Sequence, residues 1–435
     1  MKRVIIIGGG PVGLTLANEL SKTLNVTVIT PKRPFRFLST RESEFKLNEN
    51  STSGGLFGNS KLWGSQHEGL GNKVESKPVF SDLPGFPFDL NELNKFDKEL
   101  LRQGWPKLTS QRLFYSNILK VLHHNVYWKG KSLQPLPKFL NSKIDFIVAD
   151  FQRIDFNINK DFKVESIKVD QTKFSADIFC LAAGGLSNVA LLQKLKEGAS
   201  SQEIFHLNML GAGYSNHPKS TFAIIKFDRP KYFGFAPKFN TFKRMNNWDL
   251  CDDSPEPRPL RVSTRLWPIY DNSNWKRAIA SRLLRVFGYY TKARWVVYVE
   301  LPQISQNFVR FEKQQKNELY FYFNYHFPME MEDYLQSKLD QIVERVSRNP
   351  KVTIMEREQV SLRKMISQDA NHHFGGTRMA ANPENGVVDS YLKCFGISNL
   401  YILGTSTLPV SSFLHPTLLS AALALRAAEQ ITNNV

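Results

Sequence analysis

The sequence predicts an α/β protein organised around a parallel sheet, and three observations predict it. The run RVIII at residues 3–7 is apolar from Val4 onward and passes straight into a glycine-rich turn and a helix-like stretch. A second apolar strand, small-residue turn and helix start appears at 174–192, FSADIFCLAAGGLSNVALL. Between them, KIDFIVADFQRIDFNINKDFKVESIKV alternates like several short strands, a β-meander inserted between parallel ones.

The first turn reads Gly8-Gly9-Gly10-Pro11-Val12-Gly13, a G-x-G-x-x-G with a strand before it and LTLANELSK, at helical apolar spacing, after it. In that context Gly8 permits the tight turn, Gly10 lets backbone approach a pyrophosphate, and Gly13 lets helix and strand pack closely. The N–H groups that open the helix are free to meet the phosphates. A second strand, NVTVI, lies about twenty residues on, as a dinucleotide-binding unit requires. Where an acid normally closes that strand to hold the adenosine ribose, this chain has Thr30, followed by Pro31-Lys32-Arg33. A threonine hydroxyl bonds a ribose more weakly than a carboxylate, and Arg33 offers a charge for a 2′-phosphate. The dinucleotide therefore stays open between NADP and a flavin at this point.

The next informative segment is SGGLFGNSKLWGS, residues 53–65, with four glycines, small polar residues and a tryptophan. Glycine carries no side chain to hold a flat ligand off the backbone, so the segment suits one. An ordinary loop is the plainer reading, and the tryptophan among so many glycines weighs against it.

Composition sets outer bounds. At 435 residues the chain has room for two domains, and 42% hydrophobic with 12% aromatic residues is a globular profile. Its cysteines, Cys180, Cys251 and Cys394, are scattered and odd in number, so no disulfide framework is implied and a reducing, cytoplasmic setting fits. The apolar run at the N-terminus is too short for a signal peptide, and no stretch is long enough to cross a bilayer. The net charge of +17 favours acidic partners, but it is spread along the chain with no nucleic-acid signature.

Taken together, these blocks resemble the glucose–methanol–choline (GMC) family of FAD-dependent oxidoreductases. GGGPVG, GGLFGNSKLWGS, CLAAGGLSN, LGAGYSNHP (210–218) and VELPQISQNFVRF (299–311) fall in family order. HHFGGTRM and the stretch from NGVVDSYLKCFGISNLYILGTSTLPVSSFLHP to the C-terminus carry the most specific likeness. The resemblance implies a Rossmann-type, three-layer FAD-binding domain with its parallel sheet and β-meander, joined to an α+β substrate domain built on an antiparallel sheet. It divides the chain into FAD-binding parts at 1–72, 138–215 and 371–435, a cover segment at 73–137 and a substrate domain at 216–370. It implies FAD contacts from Gly8, Gly10, Pro11, Val12, Gly13 and Thr30, and from Gly54, Gly55, Gly58, Asn59, Ser60, Leu62 and Trp63. Val148, Ala183, Gly184, Gly404, Thr405, Pro416 and Thr417 complete that set. Some relatives join the flavin covalently to a histidine just before the tryptophan; Lys61 and Leu62 stand there in this chain, which implies non-covalent FAD.

The family's His-x-x-Gly-Thr is met by His373-Phe374-Gly375-Gly376-Thr377, and His415 follows in SSFLHPTLL. Moving a hydride from an alcohol C–H requires loss of the hydroxyl proton, and imidazole titrates near neutrality and can take it. The resemblance implies His373 as that base and His415 as the group positioning the alcohol oxygen. Alternating side chains turn His372 away from His373, so His372 reads as structural and a metal site is not expected. Pro416 suits the first position of a helix through TLLSAALALRAAEQI, whose N-terminus would favour negative charge on the flavin. Histidines 67, 123, 124, 206, 217 and 326 read as structural.

Within the middle region, NWKRAIASRLLRVFGYY (274–290) is basic, with Ile279, Leu283, Val286 and Phe287 at helical spacing. A helix packing that face on a sheet is the preferred reading, and peripheral membrane contact is the alternative. The function implied is FAD-dependent oxidation of a C–OH group in a sugar, glycoside or other alcohol, with electrons passed on to O₂, a quinone or another carrier. A lyase or isomerase on the same fold, with FAD mainly structural, is the alternative. A non-enzymatic binding protein is third, disfavoured because binding alone does not need both His373 and His415.

Overall fold

In a computed structural model of the chain, the described residues are 1–32, 35–43, 47, 66–67, 81–105, 113–116, 121–128, 140–149, 154–169, 171–198, 207–232, 243–249, 261–270, 273–286, 289–316, 318–366, 372–410 and 416–434. The glycine-rich segment 53–65, with Gly54, Gly55, Gly58, Asn59, Ser60, Leu62 and Trp63, lies outside them, as do Arg33 and His415.

The N-terminal half supplies β1 (Arg3–Ile7), α1 (Pro11–Leu20), β2 (Asn25–Pro31), β3 (Arg36–Ser39), β4 (Gln66–His67) and α2 (Asp97–Arg102). After these come β5 (Leu113–Ser116), β6 (Val121–Trp128), β7 (Asp145–Ala149), β8 (Ile154–Ile158), β9 (Val164–Val169), β10 (Thr172–Phe174), β11 (Ile178–Leu181) and α3 (Gly185–Gly198). The second half begins with β12 (Lys219–Tyr232), β13 (Lys243–Asp249), β14 (Arg261–Ile269), α4 (Trp275–Val286), β15 (Tyr289–Glu300), β16 (Phe308–Gln315) and β17 (Glu318–Asn324). It closes with α5 (Met329–Ser347), β18 (Val352–Arg357), α6 (Leu362–Ile366), β19 (Leu400–Ile402) and α7 (Thr417–Asn433).

A five-stranded sheet in the order β19-β11-β1-β2-β7 is parallel at every pairing. Strands β1 and β11 are buried on both faces, which is why their sequences are unbroken apolar runs. Helices α1 and α7 pack against each other beside this sheet, and nearly every residue of α7 from Leu418 to Ala428 is buried. The apolar seam of α7 is Ala-rich, which lets the two helices approach closely.

The β-meander is smaller than the sequence suggests. Strands β8, β9 and β10 form a three-stranded antiparallel sheet, but β7 leaves them and pairs parallel with β2. As an edge strand β7 leaves Phe146 and Val148 exposed, and its run DFIVA is short and followed closely by the strands of the meander, so the sequence does not separate it from them.

The larger antiparallel sheet runs β18-β12-β15-β14-β13-β6-β4, with β5 paired to β6. Helix α5 covers one side near β18, burying Met331, Leu335, Leu339, Ile342 and Val346 at helical spacing. A third small sheet joins β16 and β17 to β3. The buried apolar residues fall into two clusters, one about the parallel sheet and one about the antiparallel sheets. Helix α3 serves both: Leu186 and Val189 belong to the second core, Leu192 and Leu195 to the first.

Helix α4 departs from the reading preferred above. Its small residues face the protein, with Ser281 buried and Ala278 half-buried, while Ile279 and Leu283 are exposed. Ile279 and Leu283 of the expected face are thus turned outward, and Phe287 and the side chain of Val286 lie outside the described residues. Among the described residues no helix is long and apolar enough to cross a membrane.

Candidate functional site

The carboxyl ends of the parallel strands gather the first set of candidate residues, as topology requires of such a sheet. At the end of β1, Gly8 has φ +118°, and a Cβ there would sit 2.3 Å from the Ala182 carbonyl oxygen at the end of β11. Gly13 packs as tightly, 2.2 Å from the Gly8 carbonyl in the same sense. Gly10 differs: nothing lies within 4 Å of its missing Cβ. The turn is thus closed toward the sheet at Gly8 and Gly13 and open at Gly10, where α1 begins with Pro11 in its first turn.

Thr30 stands at the end of β2, opposite Val148 of β7 in register. It is 1% exposed, and among the described residues its Oγ1 has no hydrogen-bond partner. A buried hydroxyl without a partner costs about 1–3 kcal/mol, so a ligand group that meets it is favoured. Val148 is 61% exposed at the sheet's edge.

The ends of β11 and β19 are tied by a side chain that the sequence does not single out. Buried Asn188, in the first turn of α3, accepts from the Ala183 N–H at 3.0 Å. It donates to the Leu403 carbonyl at 2.8 Å and to Ser406 Oγ at 3.1 Å. One side chain therefore fixes Ala183-Gly184 beside Gly404-Thr405. The Thr377 hydroxyl donates to Ser406 Oγ at 2.7 Å, joining the histidine-bearing segment to the same knot.

That segment, 372–379, is bonded on both sides. Phe374 and Ser215 exchange backbone hydrogen bonds at 3.0 Å, and Gly211 N donates to the Gly376 carbonyl at 2.7 Å. On its other side Thr377 N donates to Ser406 O and Met379 N to Thr407 O. Gly375 has φ +70°, and a Cβ there would sit 2.0 Å from the Gly213 carbonyl oxygen. The glycine pair after the histidines is thus the condition for this close approach. Gly185 lies under the backbone of His373, its virtual Cβ 2.9 Å from the His373 carbonyl and 3.3 Å from Thr405 Oγ1. His373 is brought to the Gly184-Gly185 turn and to Thr405.

The two histidines diverge. His373 Nδ1 lies 2.9 Å from the Tyr214 hydroxyl, with the two rings stacked at 24°. Tyr214 is buried and packs against Phe323 and Tyr325. His372 Nδ1 instead meets His217 Nδ1 at 3.4 Å. His217 is fully buried, stands over Phe374 with ring centroids 4.5 Å apart, and holds Nε2 3.5 Å from Glu300 Oε1. Among the described residues no group of three or more His, Cys, Asp or Glu is placed to hold a metal ion.

Arg378, buried in the same segment, donates to the Pro84 and Asn385 carbonyls, and desolvation lowers its guanidinium to about 10 despite nearby Asp82. It braces the segment against 81–84. Cys180 and Cys394 are buried free thiols, pushed up by burial. Pro416 caps α7 and Thr417 is its first helical residue, one position later than the sequence suggests.

Tyr214 and Asn188 are the residues that sequence reasoning misses. Both lie in passages with a clear pattern, LGAGYSNHP and AAGGLSN, but which of these side chains reaches a distant nitrogen or carbonyl is a property of the fold.

Comparison with known proteins gives a partial family match and similar folds. Residues 305–424 match the family model described as GMC oxidoreductase. The fructose dehydrogenase large subunit of Gluconobacter japonicus is 42% identical over 65 residues, 15% of this chain and 12% of that protein. Among solved structures, pyridoxine 4-oxidase from Mesorbium loti is similar over 100% of this chain and 99% of its own, with TM-score 0.63 and 12% identity. Formate oxidase, studied from Aspergillus oryzae for modification of its FAD, is similar over 100% and 98%, with TM-score 0.60 and 14% identity.

Proposed function

We propose that this chain, whose residues 305–424 match the GMC oxidoreductase model, is a member of that family that holds FAD without a covalent link and oxidises a C–OH group of an alcohol or carbohydrate to a carbonyl. The observation that carries this reading is the seat of His373. Its backbone rests on the Gly184-Gly185 turn beside Thr405, and its ring is held through Nδ1 by buried Tyr214.

The residues present fit the cofactor. Among the described residues, the Gly8–Gly13 turn leaves backbone open at Gly10 for a pyrophosphate, and the Thr30 hydroxyl, which has no partner there, offers a bond to the adenosine ribose. Ala183, Gly184, Gly404 and Thr405 line the neighbouring strand ends, while Val148 is open at the sheet edge. Gly54, Gly55, Gly58, Asn59, Ser60, Leu62 and Trp63 are proposed contacts outside the described residues. The free N–H groups that open α7 after Pro416 and Thr417 favour negative charge there. On this reading 1–72, 138–215 and 371–435 bind FAD, 73–137 covers it, and 216–370 receives the substrate.

When bound, FAD supplies the acceptor for the hydride that leaves the carbinol carbon. The protein's part is the proton. With His373 Nδ1–H donating to Tyr214 Oη, Nε2 keeps its lone pair and takes the hydroxyl proton as the C–O bond becomes C=O. His415 is proposed to hold the alcohol oxygen. The final electron acceptor is proposed to be O₂, a quinone or another carrier. A cytoplasmic setting rests on the cysteine usage, three scattered residues without a framework.

Two measurements on the purified protein test this. Acid precipitation should release FAD into the supernatant, and retention in the pellet would contradict the non-covalent assignment. A panel of sugars, glycosides and simple alcohols should contain a class that reduces an artificial electron acceptor. Bound flavin with no turnover on any hydroxyl compound would favour the lyase or isomerase reading.

A further inference from the structure

Helix α4, residues Trp275–Val286, presents Trp275, Ile279 and Leu283 four residues apart, on one face. They are 69%, 53% and 56% exposed. The helix is anchored by its other side, through small residues such as Ser281 and Ala278. A surface helix that merely covered a core would point its large side chains the opposite way. The helix joins two strands that each carry an exposed aromatic, Trp267 on β14 and Tyr289 on β15.

Along the chain, the charge next to this stripe has one sign. Between residues 273 and 299 the chain carries six basic residues, Lys276, Arg277, Arg282, Arg285, Lys292 and Arg294, and no aspartate or glutamate. Lys276, Arg277 and Arg282 are exposed on α4 itself, and the Lys276 ammonium stands 5.5 Å from the centroid of the Trp275 ring.

We propose that α4 is a docking helix for an anionic lipid surface, lying in the membrane plane with Trp275, Ile279 and Leu283 inserted and the basic residues against the headgroups. A helix that turns three large apolar side chains to one outward face while Leu284 is half-buried, sets basic residues around them and places a tryptophan at the apolar edge has the pattern of interfacial helices. Charge complementarity selects the lipid as occupant, since an acid-free basic strip favours a densely anionic plane. Three inserted side chains on a helix about 18 Å long give weak, reversible attachment that needs the charge term. The proposal is independent of the reaction proposed above.

The test is co-sedimentation of the full chain with sonicated phospholipid vesicles. Binding is expected to vesicles with about 30% phosphatidylglycerol, and not to pure phosphatidylcholine, and to fall away at roughly 0.5 M salt. Both W275A/I279S/L283S and K276E/R277E/R282E should reduce the bound fraction about tenfold or more. Because all six side chains are exposed, the variants should keep the wild-type melting temperature and FAD content. K160E/K168E/K173E, a charge reversal around β9, should bind as wild type does.

Three results would overturn the proposal. Equal binding by all variants would place the contact elsewhere. Loss in the charge variant alone, with the stripe variant unaffected, would leave no inserted helix. A dimer in solution that W275A/I279S/L283S dissolves, without vesicle binding by the wild type, would make a second copy of this chain the occupant.

Discussion

Thr30 and Tyr214 have different parts in the proposed site, one toward the cofactor and one toward His373, and each can be tested by removing a single oxygen. The Thr30 hydroxyl is buried and unpartnered among the described residues, so it is a cost that a bound ribose would relieve. Thr30→Val should leave the FAD-free protein as stable as wild type or up to about 1–2 kcal/mol more so, while weakening FAD binding roughly tenfold. Thermal melts with and without FAD separate the two effects; equal affinity in both proteins would remove Thr30 from the site. Tyr214→Phe keeps the ring among Phe323 and Tyr325 but deletes the group at His373 Nδ1. Turnover should fall about 10–100-fold, the worth of a hydrogen bond to a group that becomes charged, with KM little changed. Its pH–rate profile should shift on the limb that reports the base, which a purely structural role would not cause. His373 is legible in the sequence because its motif ties it to glycines at fixed spacing. Tyr214 is not, because nothing in spacing tells which of several buried side chains meets Nδ1.

At the scale of elements, the site depends on the strand ends being held in register. Asn188 does this for β11 and β19 with three hydrogen bonds from one buried amide. Asn188→Ala strands the Ala183 N–H and the Leu403 carbonyl and should cost about 2–4 kcal/mol, read by denaturant unfolding, with FAD occupancy lowered as well. A variant with unchanged stability and FAD content would show that the knot is not needed. Strands β1 and β11 can be read from sequence, since a strand buried on both faces is an unbroken apolar run, and β2 from its β-branched residues about twenty positions after the glycine turn. Strand β7 reads as part of the meander because its short run DFIVA directly precedes the meander strands and nothing in it says which neighbour it pairs with. For α4 the period holds and the orientation does not. Two faces at helical spacing do not say which packs inward, and here Ser281, with Ala278 and Leu284 half-buried, does.

Across the whole molecule, the histidine segment marks the seam of two cores. Phe374 belongs to the core of the parallel sheet and Tyr214 to that of the antiparallel sheets, so His373 lies between them. Such seams are where ligand sites form, because neither core fills them. The outward stripe of α4 lies on the antiparallel side, so attachment to a lipid surface would leave the parallel sheet's strand ends to the cofactor. The most direct measurement is the anaerobic visible spectrum of FAD-loaded wild type and His373→Ala, mixed with the hydroxyl compounds that support turnover. Wild type should bleach, and His373→Ala should hold FAD equally well but bleach about 10²–10⁴ times more slowly. Equal bleaching rates in the two proteins would contradict the assignment of the base to His373.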